Sequence, residues 1–322
     1  MGAVNEETRD HSGIVRGICI SVKKGTKKHA VPEAFLKKDW GIEGDAHAGK
    51  WHRQVSLLSL DKINAFREKG AQVEYGDFGE NLIVEGFDFR TLPVGTVFRI
   101  GEAVLVMSQI GKECHTHCAI YQTMGDCIMP REGVFATVEK PGRIQVGDRV
   151  EMTPPDPDRP LTAAVITLSD KGFAGQREDK SGPAIVEMLE EEGYQVIETL
   201  LLPDKQKRIE KELIRLSDQR QVNLIVTTGG TGFSETDCTP EATLAVATRN
   251  APGIAEAIRA GSMQITRRAM LSREASVIRN KTLIINLPGS PKAVKESLAM
   301  VIDQLEHGIK ILTGRDGECG RS

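Results

Sequence analysis

Four prolines fall within seven residues, at 154, 155, 157 and 160, in the stretch M-T-P-P-D-P-D-R-P (152–160). Each lacks a backbone N–H and fixes its own φ, so the stretch cannot run through a helix or the middle of a sheet. It reads as an extended linker over residues 153–160. The 322-residue chain is thereby cut in two, and the two parts follow different hydrophobic rules.

Before the prolines, short apolar stretches are divided by glycine: G-I-V-R-G-I-C-I-S-V, R-Q-V-S-L-L-S, E-N-L-I-V-E-G-F, G-T-V-F-R-I-G, A-V-L-V-M-S and G-D-R-V-E-M. Many short strands with Gly-rich turns predict a β-rich, barrel-like first domain over residues 13–152. After the prolines, strands alternate with helices. T-A-A-V-I-T-L-S-D is a continuous apolar run, as a strand buried on both faces requires. Ala184, Ile185, Met188 and Leu189 share one helical face, Q-V-I-E-T-L-L-L-P-D reads as a strand, and Ile209, Leu213 and Leu216 return to helical spacing. N-L-I-V-T-T-G-G and T-L-I-I-N-L-P-G-S are further strands, and one long last helix is expected to carry Val294 through Leu312. The alternation predicts an α/β domain, a doubly wound and mostly parallel sheet, over residues 161–314. Residues 315–322 read as a flexible tail.

The net charge of −3 gives no reason to expect nucleic acid or an anionic membrane as a partner. No apolar run reaches the ~18–20 residues of a membrane span. The polar start M-G-A-V-N-E-E-T-R-D does not resemble a secretory signal, so a cytoplasmic location with reduced cysteines is expected.

In an open parallel sheet, ligands bind beyond the carboxyl ends of the strands. Four segments leave such ends: L-S-D-K-G (168–172), L-P-D-K (202–205), T-T-G-G-T-G-F-S-E-T-D (227–237) and L-P-G-S-P-K (287–292). Parallel topology places all four on one edge. Gly229, Gly230 and Gly232 let the backbone wrap a ligand closely, and Thr239-Pro240-Glu241 fits a helix start. Such a loop suits phosphate, although no lysine follows the glycines as in a P-loop. Its own charges, Glu235 and Asp237, would need a cation between them and a phosphate, and Mg²⁺ is the usual one. The plainer alternatives are that Gly-Gly is only a turn, that Asp204 caps a helix at Lys205, and that Ser290 caps one at Pro291.

T-T-G-G-T-G-F-S-E-T-D-C-T-P-E-A-T, L-L-P-D, N-L-P-G-S-P-K-A-V-K-E and M-L-S-R-E-A-S-V-I-R resemble the molybdopterin adenylyltransferase family, which includes the MogA-like proteins and the gephyrin G domain. The resemblance implies ATP and molybdopterin as substrates, transfer of AMP to the pterin's terminal phosphate, and release of pyrophosphate. It implies that Asp237 and Asp204 organise Mg²⁺ and phosphate. Thr228, Gly229, Gly230, Thr231 and Gly232 would cradle phosphate, while Ser169, Asp170, Pro288, Gly289 and Ser290 would contact nucleotide or pterin. It also implies a homo-oligomer, with a trimer as the family's habit, and hand-over to a MoeA-like molybdate-insertion protein.

In the first domain, G-I-E-G-D-A-H-A-G-K-W-H-R-Q-V-S-L-L, Y-G-D-F-G-E-N-L and L-P-V-G-T-V-F-R-I-G resemble a MOSC domain. That family is β-rich and implicated in binding the molybdenum cofactor or carrying sulfur, as a persulfide, on a cysteine after a final core strand. Cys114, in Q-I-G-K-E-C, occupies that place, with Lys112, His115 and His117 as neighbouring cations that would favour its thiolate. The usual motif carries a lone cysteine, whereas here Cys118 and Cys127 follow. Cys114, Cys118 and Cys127 with one histidine are therefore also a candidate zinc set, and incidental burial is the third reading. Cys19 and Cys238 read as packing residues, and Cys319 lies in the tail. His47 and His52 are five apart and do not share a helix face; they fit contact with a pterin phosphate or ordinary packing.

The combined expectation is a bifunctional enzyme of molybdenum cofactor biosynthesis. The rival is a non-catalytic molybdopterin-binding or scaffold protein whose Cys/His cluster is a metal site.

Overall fold

The computed structural model describes residues 12–113 and 119–315. The chain divides between Asp156 and Pro157 into two compact units, and no helix among the described residues is long and apolar enough to cross a membrane.

The first unit is a closed barrel of seven strands: β1 (Ser12–Ile20), β2 (Val55–Ser59), β3 (Leu82–Glu85), β4 (Val97–Ile100), β5 (Ala103–Ile110), β6 (Val134–Lys140) and β7 (Arg149–Thr153). Their order round the barrel is β1-β7-β4-β5-β6-β2-β3, closing where β3 meets β1. Closure leaves few unpaired edges. Every pairing is antiparallel except β2 with β3. Parallel neighbours need a crossover, and the connection carries the helix Leu60–Glu68. Burial alternates along β5, so Ala103, Leu105 and Met107 enter the core with Val15, Leu57, Phe98 and Val138.

Six of these strands match the glycine-divided stretches of the sequence; β6 does not. Its V-F-A-T-V run, between Gly133 and Pro141, has the β-branched and aromatic content of a strand but a glycine at only one end. A small sheet of Glu33–Lys37, Gly41–Ile42 and Gly142–Gln145 was also not foreseen.

A buried ion pair holds one barrel loop. Lys28 Nζ lies 2.8 Å from both carboxylate oxygens of Asp45, with side chains 2% and 0% exposed. Asp45 also accepts the backbone N–H groups of Ser21 and His47. These bonds distribute its charge, which burial alone would make costly.

The second unit is a six-stranded sheet: β8 (Thr162–Leu168), β9 (Gln195–Leu202), β10 (Leu224–Thr228), β11 (Arg249–Asn250), β12 (Ser276–Arg279) and β13 (Thr282–Leu287). The order is β9-β8-β10-β13-β12-β11; the first four are parallel, and β12 and β11 complete the edge antiparallel. The apolar runs of β8, β10 and β13 are continuous because these central strands are covered on both faces. Ala163, Val165, Leu224, Val226 and Ile285 pack on one face under Ile185, Leu189, Leu298 and Leu305. Ala164, Ile166, Ile225 and Ile284 pack on the other under Ile209, Leu213 and Ala242. Period-2 alternation thus sends neighbours to opposite cores, and the sheet is doubly wound.

The expected single last helix is two, Pro291–Ala299 and Ile302–Thr313, broken at Met300–Val301. Val294, Leu298, Val301, Leu305 and Ile309 keep steps of three and four across the break and enter the same core. A kink that preserves helical phase is invisible to hydrophobic periodicity.

Candidate functional site

Beyond the carboxyl ends of β8, β9, β10 and β13 lies an open cavity of about 850 Å³. It is lined by Ser169, Asp170, Asp204, Thr228, Gly229, Gly230, Asp237, Gly289 and Ser290. The four loops therefore meet in space. Thr231, Gly232 and Pro288 line a second cavity instead, from positions next to these on the same loops.

The glycine loop is shaped by contacts that a side chain would break. Gly229 and Gly230 hold φ of +98° and +62°, a region in which only glycine rests without strain. A Cβ on Gly229 would stand 2.3 Å from the Leu168 carbonyl oxygen. Thr239 Oγ1 donates to Gly229 O at 2.8 Å, and its N–H donates to Gly230 O. Thr228 Oγ1 donates to Pro288 O at 2.7 Å, which joins the β10 loop to the β13 loop. Behind them, Asn286 Nδ2 donates to Thr227 Oγ1 and Thr243 Oγ1, so the polar residues of these buried strands are satisfied.

Asp204 is not a helix cap: Lys205 takes that position without a side-chain bond. Its carboxylate instead turns to the first loop. Asp170 N–H donates to Asp204 Oδ2, and Asp204 N–H donates to Asp170 Oδ1, both at 3.1 Å. Asp204 Oδ1 is buried without a hydrogen-bond partner among the described residues. Burial first, and then the charges of Asp170 and Asp237, push the Asp204 carboxyl above its ordinary value, against the Asp170 N–H that lowers it. Asp237 Oδ2 accepts from Ser234 N–H at 3.0 Å. Ser290 does cap its helix, accepting from Ala293 N–H, and Ser169 caps the short helix Asp170–Phe173.

Several residues of the site were missed from the sequence. Lys171, Arg177 and Lys180 bring positive charge to the cavity, and Asp179 caps the helix behind it through the N–H groups of Ser181 and Gly182. The signal for Arg177, Asp179 and Lys180 is the charged run R-E-D-K (177–180) just before a helix, while Lys171 belongs to the L-S-D-K-G loop. Arg273 clamps the glycine loop: Nε donates to Gly232 O at 2.6 Å, Nη2 to Asp237 O at 2.7 Å, and Nη1 pairs with Glu241. It sits in M-L-S-R-E-A-S-V-I-R, a segment whose sequence marks no single residue.

In the first unit, Cys114, His115, His117 and Cys118 lie outside the described residues, as does Cys319. Cys127 is buried among Ile63, Phe66, Ile128 and Phe135. Cys19 is fully buried, and burial pushes its thiol up to about 12; Cys238 packs against the second unit's core. No cluster of three or more metal-binding side chains occurs among the described residues. His52 Nε2 lies 2.8 Å from Gln109 Oε1, while His47 Nδ1 stands 3.8 Å from Asp45. Burial, followed by the charge of Lys28, keeps His47 below its ordinary value.

Residues 164–307 match the domain family described as "Probable molybdopterin binding domain", and residues 44–151 match the MOSC domain. The molybdopterin adenylyltransferase of Escherichia coli K12 is 43% identical over 155 residues, covering 46% of this chain and 80% of that protein. Its namesake from Haemophilus influenzae is 43% identical over 146 residues, 45% of this chain and 74% of that protein. The one from Helicobacter pylori 26695 is 41% identical over 152 residues, 47% and 86%. A solved MoaB structure from Thermus thermophilus is 42% identical, covers 48% of this chain and 97% of its own, and has a TM-score of 0.46. The sequence matches define an α/β domain of the type described as a probable molybdopterin binding domain, preceded along the chain by a MOSC domain. Through that second unit, the chain belongs to the molybdopterin adenylyltransferase family.

Proposed function

We propose that the second unit transfers AMP from ATP to the terminal phosphate of molybdopterin, releasing pyrophosphate, as a step of molybdenum cofactor biosynthesis. The observation that carries this reading is the orphaned Asp204 Oδ1, buried at the glycine loop with Asp170 and Asp237 beside it. A binding module would have no use for unneutralised carboxylates facing a phosphate cradle.

Those carboxylates fit Mg²⁺, which takes one or two of them together with phosphate oxygens. Asp204 and Asp237 are the residues that would hold it, and bound there it would neutralise charge between phosphate and carboxylate. The chain's other contributions are positional. Gly229 and Gly230 allow phosphate to approach the backbone, Lys171, Arg177 and Lys180 offer positive charge, and Arg273 keeps Asp237 in place. Phosphoryl-type transfer depends on such positioning and charge neutralisation more than on proton transfer.

The MOSC unit would bind the cofactor or carry sulfur on Cys114. Covalent linkage of the two units raises the effective concentration of an intermediate passed between them, and a MoeA-like insertion protein would take the adenylylated pterin. Incubating the full chain with molybdopterin, ATP and Mg²⁺ should release pyrophosphate only when all three are present. Absence of release would leave the scaffold reading standing.

A further inference from the structure

The turn that follows β13 is held by three successive carbonyl oxygens, those of Leu287, Pro288 and Gly289. Gly229 N–H donates to Leu287 O at 3.2 Å, and Thr228 Oγ1 donates to Pro288 O at 2.7 Å. Both donors belong to the glycine loop. The third comes from another element: Ser181 Oγ donates to Gly289 O at 3.0 Å. Ser181 opens the helix Ser181–Glu191 and is 5% exposed. Its own N–H donates to Asp179 Oδ1 at 3.0 Å, so the hydroxyl is offered from a fixed helix start.

This third bond falls where the turn has least support of its own. Glycine is the most permissive residue along a backbone, and Gly289 is exposed, so packing does not set its conformation. It also runs close to the glycine loop, since a Cβ on it would stand 3.3 Å from Gly229 Cα. A trans peptide is planar, so its N–H points opposite to its C=O. With Pro288 O tied to Thr228 and Gly289 O tied to Ser181, the N–H groups of Gly289 and Ser290 are turned away from those partners. Neither donates to another group among the described residues. Two successive peptide donors of set direction, on a cavity wall shared with Gly229, Gly230 and Lys180, suit a phosphate oxygen.

We propose that Ser181 is a positioning residue for the transfer: through Gly289 O it directs the Gly289 and Ser290 N–H groups onto a phosphate of ATP or of molybdopterin. The inference rests on the adenylyltransferase reading for the reaction, and Ser181 lies outside the four loops on which that reading stands. Its loss should leave the unit folded, because Gly289 O can turn to water at this exposed position.

The test follows pyrophosphate release by the full chain in Ser181→Ala and Ser181→Thr, with each substrate varied in turn. Ser181→Ala should raise the KM of one substrate about tenfold, the scale of one hydrogen bond, and leave the other within about twofold. The substrate that moves is the one whose phosphate the turn holds. Ser181→Thr keeps the hydroxyl and should restore most of the loss. Unchanged KM values in Ser181→Ala, an equal loss for both substrates, or no rescue by threonine overturns the proposal. The two readings fail separately. If wild type releases no pyrophosphate, binding of inorganic tripolyphosphate to the same three proteins reads the turn directly. A loss in Ser181→Ala that Ser181→Thr restores then keeps the clamp while adenylylation falls, and no loss overturns both. If wild type releases pyrophosphate and Ser181→Ala matches it in both KM values, the clamp falls alone.

Discussion

Gly230→Ala probes the glycine loop at its tightest point. The residue holds φ +62°, which costs an L-residue about 1–2 kcal/mol. A Cβ there would stand 2.4 Å from Thr239 Oγ1 and 3.0 Å from Asp204 Oδ1. Thr239 is fully buried and its hydroxyl donates to Gly229 O; displacing it leaves buried polar atoms unsatisfied, for about 1–3 kcal/mol more. The second unit should therefore lose about 2–5 kcal/mol. Both tryptophans, Trp40 and Trp51, lie in the first unit, whereas the long helices lie in the second. In a urea titration the far-UV circular dichroism transition should move to lower urea, and the tryptophan fluorescence transition should stay. Adding Thr239→Ala removes the clashing atom, so in that background Gly230→Ala should cost only the φ term, about 1–2 kcal/mol. An unmoved helical transition, or an undiminished cost in the Thr239→Ala background, would refute the reasoning.

Lys28→Met strands the Asp45 charge in the barrel and should cost about 3–5 kcal/mol, read as an earlier tryptophan transition; a neutral outcome would mean that Asp45 does not depend on its pair. Glu80 is fully buried, and burial pushes its carboxyl from 4.5 to about 7. Its folded value lies above its unfolded one, so its stabilising effect is full below 4.5 and is lost as pH rises through about 7. The first unit should weaken across that window, and Glu80→Gln should flatten the slope. Arg273→Lys cannot bridge Gly232 O, Asp237 O and Glu241 together; pyrophosphate release should fall about tenfold or more, with the barrel's fluorescence transition unchanged.

The four loops could be read from the sequence because parallel topology brings together segments that are distant in the chain; L-S-D, L-P-D, T-T-G-G and N-L-P-G-S each follow an apolar run. Six barrel strands were readable because glycine marks their ends. Apart from β6 and the R-E-D-K run, the remaining features have no local signature. The Lys28–Asp45 pair joins residues 17 apart across a loop. Arg273 reaches the glycine loop from 41 residues away. The break at Met300–Val301 preserves helical phase. L-P-D-K leaves a cap as the plainer alternative for Asp204, and only its bond to Asp170 N–H, with Lys205 at the cap position, removes that alternative.

The measurement that bears most directly on the account is the formation of adenylylated molybdopterin, followed by mass spectrometry, with wild type beside Asp237→Ala. Wild type should form the product in the presence of ATP and Mg²⁺, and the variant, folded by circular dichroism, should form almost none. Equal product from both proteins would contradict the assignment of Asp237 and the site built around it.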